Sequence, residues 1–251
     1  MVAKDEIEIG VRWPGEFFGA ATDGGEAAGA IDVLALRHTD TRTLAQACAQ
    51  ARRTGAFVAF VATPHDLDAA GVTHPTPRQF AESAFAVAAA AGLSAVRLGL
   101  ALAPLGAGRW HDEPSEVALA KAEWLVARSV EAGFGLVHLD GAAACLDDPR
   151  PLPARLAAAR VARLCHVAEQ AFAELPAGAR GAPPRYVVQG NPSTLREAFG
   201  WRALAQAAWP RMIVSSPAPT EGPDGDLRAL LAGHAAVAWR ELDTAAERIV
   251  A

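Results

Sequence analysis

The chain has 251 residues, of which 51% are hydrophobic and 20% are charged, and its formal net charge is −5 at pH 7. This composition supports a packed core and argues against disorder, while the weak negative charge without a basic cluster argues against a nucleic-acid-binding or membrane-surface protein. No apolar run is long enough to span a bilayer, and the first residues do not resemble a signal peptide. The three cysteines are widely spaced and form no CxxC pair, which indicates a cytoplasmic location.

Short apolar strands alternate with helices along the chain. The predicted strands are Ile31–Leu36, Ala56–Ala62, Ala95–Leu100, Phe134–Leu139, Arg185–Gln189, Arg211–Ser215 and Ala235–Trp239. Their nearly continuous apolar runs are typical of strands buried on both faces of a parallel sheet. The predicted helices are Thr41–Arg53, Thr76–Ala91, Ser115–Ala132, Pro151–Leu175, Ser193–Ala208, Asp226–Gly233 and Leu242–Val250. Several start at a proline or capping residue and end at a glycine.

This alternation predicts an α/β fold, and we favour a parallel (β/α) TIM-type barrel over an open doubly wound sheet because no GxGxxG or P-loop motif follows a strand. We expect an N-terminal segment at 1–30 and a single barrel domain at 31–251. A TIM-type barrel has eight strands, so seven predicted strands indicate that one βα unit is deleted or replaced, unless residues 7–13 form an extra strand. A missing unit leaves two sheet edges, which we predict the N-terminal segment or a second chain covers.

The fourth predicted strand carries the best candidate site. His138 and Asp140 lie at its C-terminal end, on the opposite side from Leu139. Because ligands gather at the C-terminal edge of parallel strands, the two side chains are a candidate acid–base pair at the barrel mouth. The alternative is a buried histidine whose hydrogen bonds are satisfied by a neighbouring carboxylate.

Residues that follow other strands complete the candidate pocket. Arg37 and His38 follow the first strand, and Asn191 follows the fifth. We predict that His38 and Asn191 line a substrate pocket and that Arg37 binds a phosphate group there. Arg97 and Arg185 also begin or end strands, and either could bind the phosphate instead.

Three other patterns are less specific. One loop has a spacing that would permit a metal site but is more typical of a solvated loop: His65, Asp66, Asp68 and His74. The negative charge of His111–Glu113 is predicted to cap the helix that begins after Pro114. Cys145 lies in a turn and is either structural or reactive, whereas Cys48 and Cys165 are predicted to be buried as small apolar residues.

Several segments around the fourth strand resemble one known family. The run 131–141 is preceded by Trp-His-Asp-Glu-Pro at 110–114 and followed by Cys-Leu-Asp-Asp-Pro at 145–149 and by the helical segment 159–165. Together they resemble the non-catalytic subunit family of the class II D-tagatose-1,6-bisphosphate aldolases, over residues 31–251. The resemblance implies a (β/α) barrel that acts in carbohydrate metabolism beside a catalytic aldolase subunit.

The chain departs from that family at its chemical positions. The family's third strand carries an Asp-His pair, which class II aldolases use as proton donor and zinc ligand, and this pair falls on Ala103–Pro104. Val61 stands at a family glutamate, and Asn191 replaces another acid. A class II aldolase needs about three imidazole or carboxylate ligands on one divalent ion. We therefore predict no metal site, no other cofactor and no metal-dependent aldol chemistry.

The leading prediction is a degenerate relative of the accessory subunit, which stabilises or completes a catalytic partner barrel or assembles with itself. Trp124, Trp201 and Trp209 are candidates for such an interface. One alternative is a metal-independent lyase, isomerase or epimerase that acts on a sugar or sugar phosphate through His138 and Asp140, and another is a binding protein without turnover. An enzyme needs an open cavity with convergent polar groups, whereas an accessory barrel tolerates a closed, apolar mouth.

Overall fold

The computed structural model describes residues 31–36, 41–68, 71–215 and 237–241. Its strands are β1 (Ile31–Leu36), β2 (Phe57–Ala62), β3 (Leu98–Leu105), β4 (Leu136–Leu139), β5 (Arg185–Gln189), β6 (Met212–Ser215) and β7 (Val237–Glu241). Its α-helices are α1 (Thr41–Thr54), α2 (Pro77–Ala90), α3 (Ser115–Glu131), α4 (Ala154–Glu174), α5 (Pro192–Gly200) and α6 (Ala203–Ala208). Short 3₁₀ turns occur at Ala95–Arg97, Ala107–Trp110, Ala177–Ala179 and Trp209–Arg211.

The strands form one seven-stranded sheet in the order β6-β5-β4-β3-β2-β1-β7. Every neighbouring pair is parallel, and the last strand lies beside the first, with Ile31 opposite Val237. This sequential order with return to β1 is that of a (β/α) TIM-type barrel, which confirms the predicted fold class. No ladder joins β6 to β7 within the described ranges. The predicted cover for these edges, residues 1–30, and the predicted helices at 226–233 and 242–250 lie outside the described residues.

The sheet is buried on both faces, as the continuous apolar runs predict. One face packs against the helices and contributes Phe60, Leu100, Val137 and Leu139 to the main hydrophobic core. The alternate residues are also buried but face the interior of the barrel: Ala59, Ala101, Leu136, His138 and Val187. His138 therefore points inward, as its alternation with Leu139 predicts.

The third strand differs from its predicted range of Ala95–Leu100. It begins three residues later, after a 3₁₀ turn, and continues to Leu105. Leu102 pairs with Val137 and Leu105 with Leu139, so β3 carries one extra residue against β4. This β-bulge falls at Ala103–Pro104, where a proline without an N–H is tolerated within a sheet.

Two helix starts, those of α2 and α5, follow local capping chemistry. Thr76 and Gln79 form a capping box at α2. At α5 the Asn191 carboxamide oxygen accepts from the N–H groups of Ser193 and Thr194. The expected cap of α3 by His111–Glu113 is wrong: the Ser115 N–H donates instead to Asp147 Oδ1 at 2.7 Å, from a loop 32 residues further along the chain.

The predicted helix Ser193–Ala208 is two helices, α5 and α6, which are separated by Trp201 and Arg202. Trp201 is 85% exposed at this break. Two short helices, α5 and the six-residue α6, therefore connect β5 to β6. The predicted single helix is incorrect.

Candidate functional site

The C-terminal edge of the sheet carries the candidate site. The described loops at this edge follow β2, β3, β4 and β5, and the inward-facing end of β4 carries His138. His138 is only 3% exposed and lies opposite Val187 of β5. An imidazole at this exposure is inside the described packing and not on its surface.

Asp140 follows β4 and is half-buried. Its backbone N–H donates to the Leu105 carbonyl at 2.9 Å, and its Oδ1 accepts from the Ala142 N–H at 2.8 Å. One carboxylate oxygen therefore stabilises the turn that Asp140 itself begins. This local role is typical of an Asx turn.

Three glycines let the loops after β3 and β4 pack directly on each other. A Cβ placed on Gly106 would lie 1.8 Å from the Asp140 carbonyl oxygen, and one on Gly108 would lie 3.0 Å from the Ala143 Cβ. A Cβ on Gly141 would lie 2.1 Å from the Ala157 carbonyl oxygen of α4. The loop after β4 therefore packs closely on the loop after β3 and on α4, and at Gly106 and Gly141 a backbone carbonyl occupies the place that a Cβ would take.

A buried ion pair fixes the loop after β4. Arg160 of α4 donates from Nη2 to Asp148 Oδ1 at 2.5 Å and from Nη1 to the Ala143 carbonyl at 3.0 Å. Asp148 Oδ2 accepts from the Cys145 N–H at 2.5 Å. The hydrogen bond from Arg160 lowers the pKa of Asp148 below its usual value, because it favours the charged carboxylate.

The same loop is attached to the start of α3. The Leu146 N–H donates to the Glu113 carbonyl at 3.1 Å, beside the bond between Asp147 and Ser115. Cys145 is fully buried in a small cluster with Ala118 and Leu119. Burial raises the pKa of the Cys145 thiol, so the environment is that of a structural cysteine and not of a reactive thiolate.

An arginine fixes the loop after β2 in a comparable way. Arg109 Nη1 donates to the carbonyls of Pro64 and Leu67, the latter at 2.6 Å, and its guanidinium lies over the Trp110 ring. Arg109 and Arg160 are site residues that the sequence analysis missed. The position of Arg109 shortly after a strand could have marked it as a candidate. Nothing in the local sequence distinguishes Arg160 from the surface arginines of a helix.

The other predicted site residues have separate positions. Asn191 is exposed and caps α5, while Arg37 and His38 lie outside the described residues. In the loop after β2, Asp66 Oδ2 accepts from the Thr63 N–H at 2.8 Å, and Asp68 Oδ2 accepts from the Thr73 N–H at 3.1 Å. Among the described residues no three His, Cys, Asp or Glu side chains are grouped as metal ligands would be. The two aspartates instead stabilise their own loop.

A recess lies at the opposite end of the sheet, between the ends of α3 and α4. It is lined by Phe134, Phe172 and Pro184 with the carboxylate of Glu131, and its volume is about 30 Å³. That volume holds one or two water molecules and not a sugar. No helix in the described part of the chain has the length and apolar character to cross a membrane.

The parallel strand order and the return of β7 to β1 define a (β/α) barrel of the TIM type, with a buried histidine at the C-terminal end of β4. The model of the D-tagatose-1,6-bisphosphate aldolase subunit GatZ/KbaZ-like family matches residues 23–192, and the chain belongs to this family.

Two curated relatives carry the name D-tagatose-1,6-bisphosphate aldolase subunit GatZ. The protein from Klebsiella pneumoniae subsp. pneumoniae is 40% identical over 100 residues, which cover 40% of this chain and 24% of the relative. The protein from Salmonella enteritidis PT4 is 37% identical over 99 residues, which cover 39% of this chain and 23% of the relative. The match therefore spans about a quarter of the length of these relatives.

One solved structure is similar over most of the chain. It is described as a probable tagatose 6 phosphate kinase from Sinorhizobium meliloti 1021, with a TM-score of 0.65 and 23% sequence identity. The similarity covers 84% of this chain and 64% of that one. At this identity the likeness shows the fold.

Proposed function

We propose that this protein acts in carbohydrate metabolism as a supporting barrel, beside a catalytic D-tagatose-1,6-bisphosphate aldolase subunit in the cytoplasm, without metal-dependent aldol cleavage of its own. The observation that carries the proposal is the β-bulge in β3. Ala103 and Pro104 occupy it, at the positions where the family resemblance places a proton-donating aspartate and a metal-binding histidine. Neither a methyl group nor a pyrrolidine ring can donate a proton or bind a cation.

The packing of the described loops at the C-terminal edge supports the same proposal. His138 is buried, and the loops after β3 and β4 are in backbone contact through Gly106 and Asp140. An aldolase holds its substrate in an open cavity lined by groups that converge on the reacting carbon. A supporting subunit needs only a stable surface for its partner, and a packed interior favours stability.

One observation favours a second candidate, a metal-independent lyase, isomerase or epimerase acting on a sugar or sugar phosphate. Asp140 is half-exposed at the C-terminal edge of the sheet, two residues after His138. A carboxylate and an imidazole at this edge could move a proton next to the carbonyl group of a substrate within reach of both. The burial of His138 and the use of Asp140 Oδ1 by the Ala142 N–H both count against this candidate.

The decisive experiment compares a catalytic class II tagatose-bisphosphate aldolase subunit alone and with this chain. We expect the chain to co-elute with that subunit and to lengthen the half-life of its aldolase activity on warming. The chain alone with Zn²⁺ should give no cleavage of tagatose bisphosphate.

Asp140→Asn is the matched control variant, because the amide oxygen can still accept from the Ala142 N–H. It should support the catalytic subunit as well as the wild type does. Turnover of a sugar phosphate by the chain alone that is lost in Asp140→Asn, at unchanged melting temperature, would overturn the supporting role and establish the second candidate.

A further inference from the structure

The outward face of α3 carries an apolar stripe of Val117, Ala120 and Trp124, which ends at the partly buried Ala127. We call these four residues the α3 seam. The opposite face of α3 is buried against the rest of the chain through Leu119, Leu125 and Val126. On the seam, Val117 is 46% exposed and Trp124 is 38% exposed. The spacing of three, four and three residues is that of the a and d positions of a heptad, which form the contact line between two helices.

Acidic residues flank one side of the α3 seam, and basic residues flank the other. Glu116 and Glu123 occupy the g positions that precede Val117 and Trp124, and Lys121 and Arg128 occupy the e positions. In a parallel helix pair, g of one helix faces e of the other, so acidic and basic residues would meet. In an antiparallel pair, e faces e and g faces g, so like charges would meet.

From this pattern we propose that the α3 seam is a two-fold contact between two copies of this chain, with their α3 helices parallel. Glu116 of each copy would pair with Lys121 of the other, and Glu123 with Arg128. A two-fold axis forms each contact twice, and it requires one surface that complements itself. The seam meets this requirement, because a single helix supplies both the acidic and the basic flank.

The charged flanks already lie in ion pairs within the chain. Glu116 and Glu123 both bind Arg163 of α4, and Lys121 binds Glu113. The Glu116 side chain is nevertheless 76% exposed and that of Lys121 is 44% exposed, so both can reach a second molecule. The Glu123 side chain is only 22% exposed. The test therefore uses the pair Glu116 and Lys121.

The seam is small for a stable dimer, which buries about 800 Å² per partner. Leu146 enlarges the surface: it is 65% exposed, and its N–H binds the Glu113 carbonyl next to the start of α3. In the parallel arrangement, the C-terminal edges of both sheets open on the same side of the dimer.

The test is sedimentation equilibrium on the purified chain at about 1 to 100 µM. The wild type should show a monomer–dimer equilibrium. Lys121→Glu and Glu116→Lys should each weaken dimerisation at least tenfold, and an equimolar mixture of the two variants should recover it, because both acid–base pairs are restored in the heterodimer. Arg155→Glu, the same kind of charge reversal at an exposed residue of α4, should dimerise as the wild type does.

Thermal unfolding followed by circular dichroism confirms that each variant is folded. A wild type that stays monomeric, single variants that dimerise normally, or a mixture that fails to recover would each overturn the proposal. The experiment contains no catalytic subunit, so these outcomes leave the proposed supporting function standing.

Discussion

Arg160 and Asp148 form a buried ion pair in which Nη2 and Oδ1 are 2.5 Å apart and neither side chain is more than 5% exposed. Arg160 reaches from α4 into the loop after β4, and its Nε is buried without a hydrogen-bond partner. Asp148 also accepts the Cys145 N–H. The pair therefore connects a helix to the loop that begins with Asp140.

Removal of the Asp148 charge should strongly destabilise the fold. Asp148→Asn leaves the guanidinium of Arg160 buried without a counter-charge, which costs about 3–5 kcal/mol of unfolding free energy. Urea unfolding measures this loss. The double variant Arg160→Met/Asp148→Asn has no buried guanidinium, and the carboxamide oxygen at position 148 can still accept from the Cys145 N–H. It should therefore be more stable than Asp148→Asn alone. A single variant within about 1 kcal/mol of the wild type would mean that water screens the pair.

The same pair should contribute to acid sensitivity. The hydrogen bond from Arg160 lowers the pKa of Asp148 in the folded chain below the ordinary value of 3.8. Its stabilising contribution is therefore complete above that value and is lost as the pH falls from 3.8 towards the folded pKa. The difference in unfolding free energy between wild type and Asp148→Asn should narrow over this window in urea titrations. A difference that stays constant with pH would contradict the assignment.

Gly106→Ala tests the contact between the loops after β3 and β4. The added Cβ would lie 1.8 Å from the Asp140 carbonyl oxygen, so one loop must move. We expect a loss of about 1–3 kcal/mol in unfolding free energy, as for an overpacked core. Gly200→Ala is the matched control, because a Cβ there has no neighbour within 4 Å and Gly200 is the last residue of α5. It should be neutral or stabilise by up to about 1 kcal/mol.

The three cysteines should be unreactive in the folded chain. Cys48, Cys145 and Cys165 are free and fully buried. Burial raises the pKa of Cys48 to about 11 and that of the other two thiols above the usual value. A thiol reagent at about pH 8 should therefore label all three only after denaturation. Rapid labelling of Cys145 in the folded chain would restore the reactive interpretation of that residue.

The sequence predicted those parts of the fold that depend on local patterns. The ranges Ile31–Leu36 and Arg185–Gln189 agree with β1 and β5, and the burial of Cys48 and Cys165 is confirmed. The third strand was misplaced: it begins at Leu98 and continues through Pro104 to Leu105, where a β-bulge accommodates the proline. A bulge depends on the register with β4, which no pattern within the strand reveals.

Local sequence patterns could not predict the contacts that fix the site, for the same reason. Asp147 caps α3 from 32 residues away. The alternation that placed His138 inside the barrel could not show that Gly106 packs against the Asp140 carbonyl. Such contacts follow from tertiary packing between βα units. The acid–base role of His138 and Asp140, and the pocket roles of Arg37, His38 and Asn191, stay predictions.

The pairing of β1 with β7 has a consequence for how the chain is made. Val33 lies opposite Trp239, some two hundred residues later in the sequence. At about 5–20 residues per second, a ribosome needs about 10–40 s to synthesise that interval. During this time the nascent β1 can pair with β2 but not with β7. Among the described strands β1 is therefore the first to be made and among the last to gain both neighbours, and chaperone contact during translation should be concentrated on the edge that β7 later pairs with.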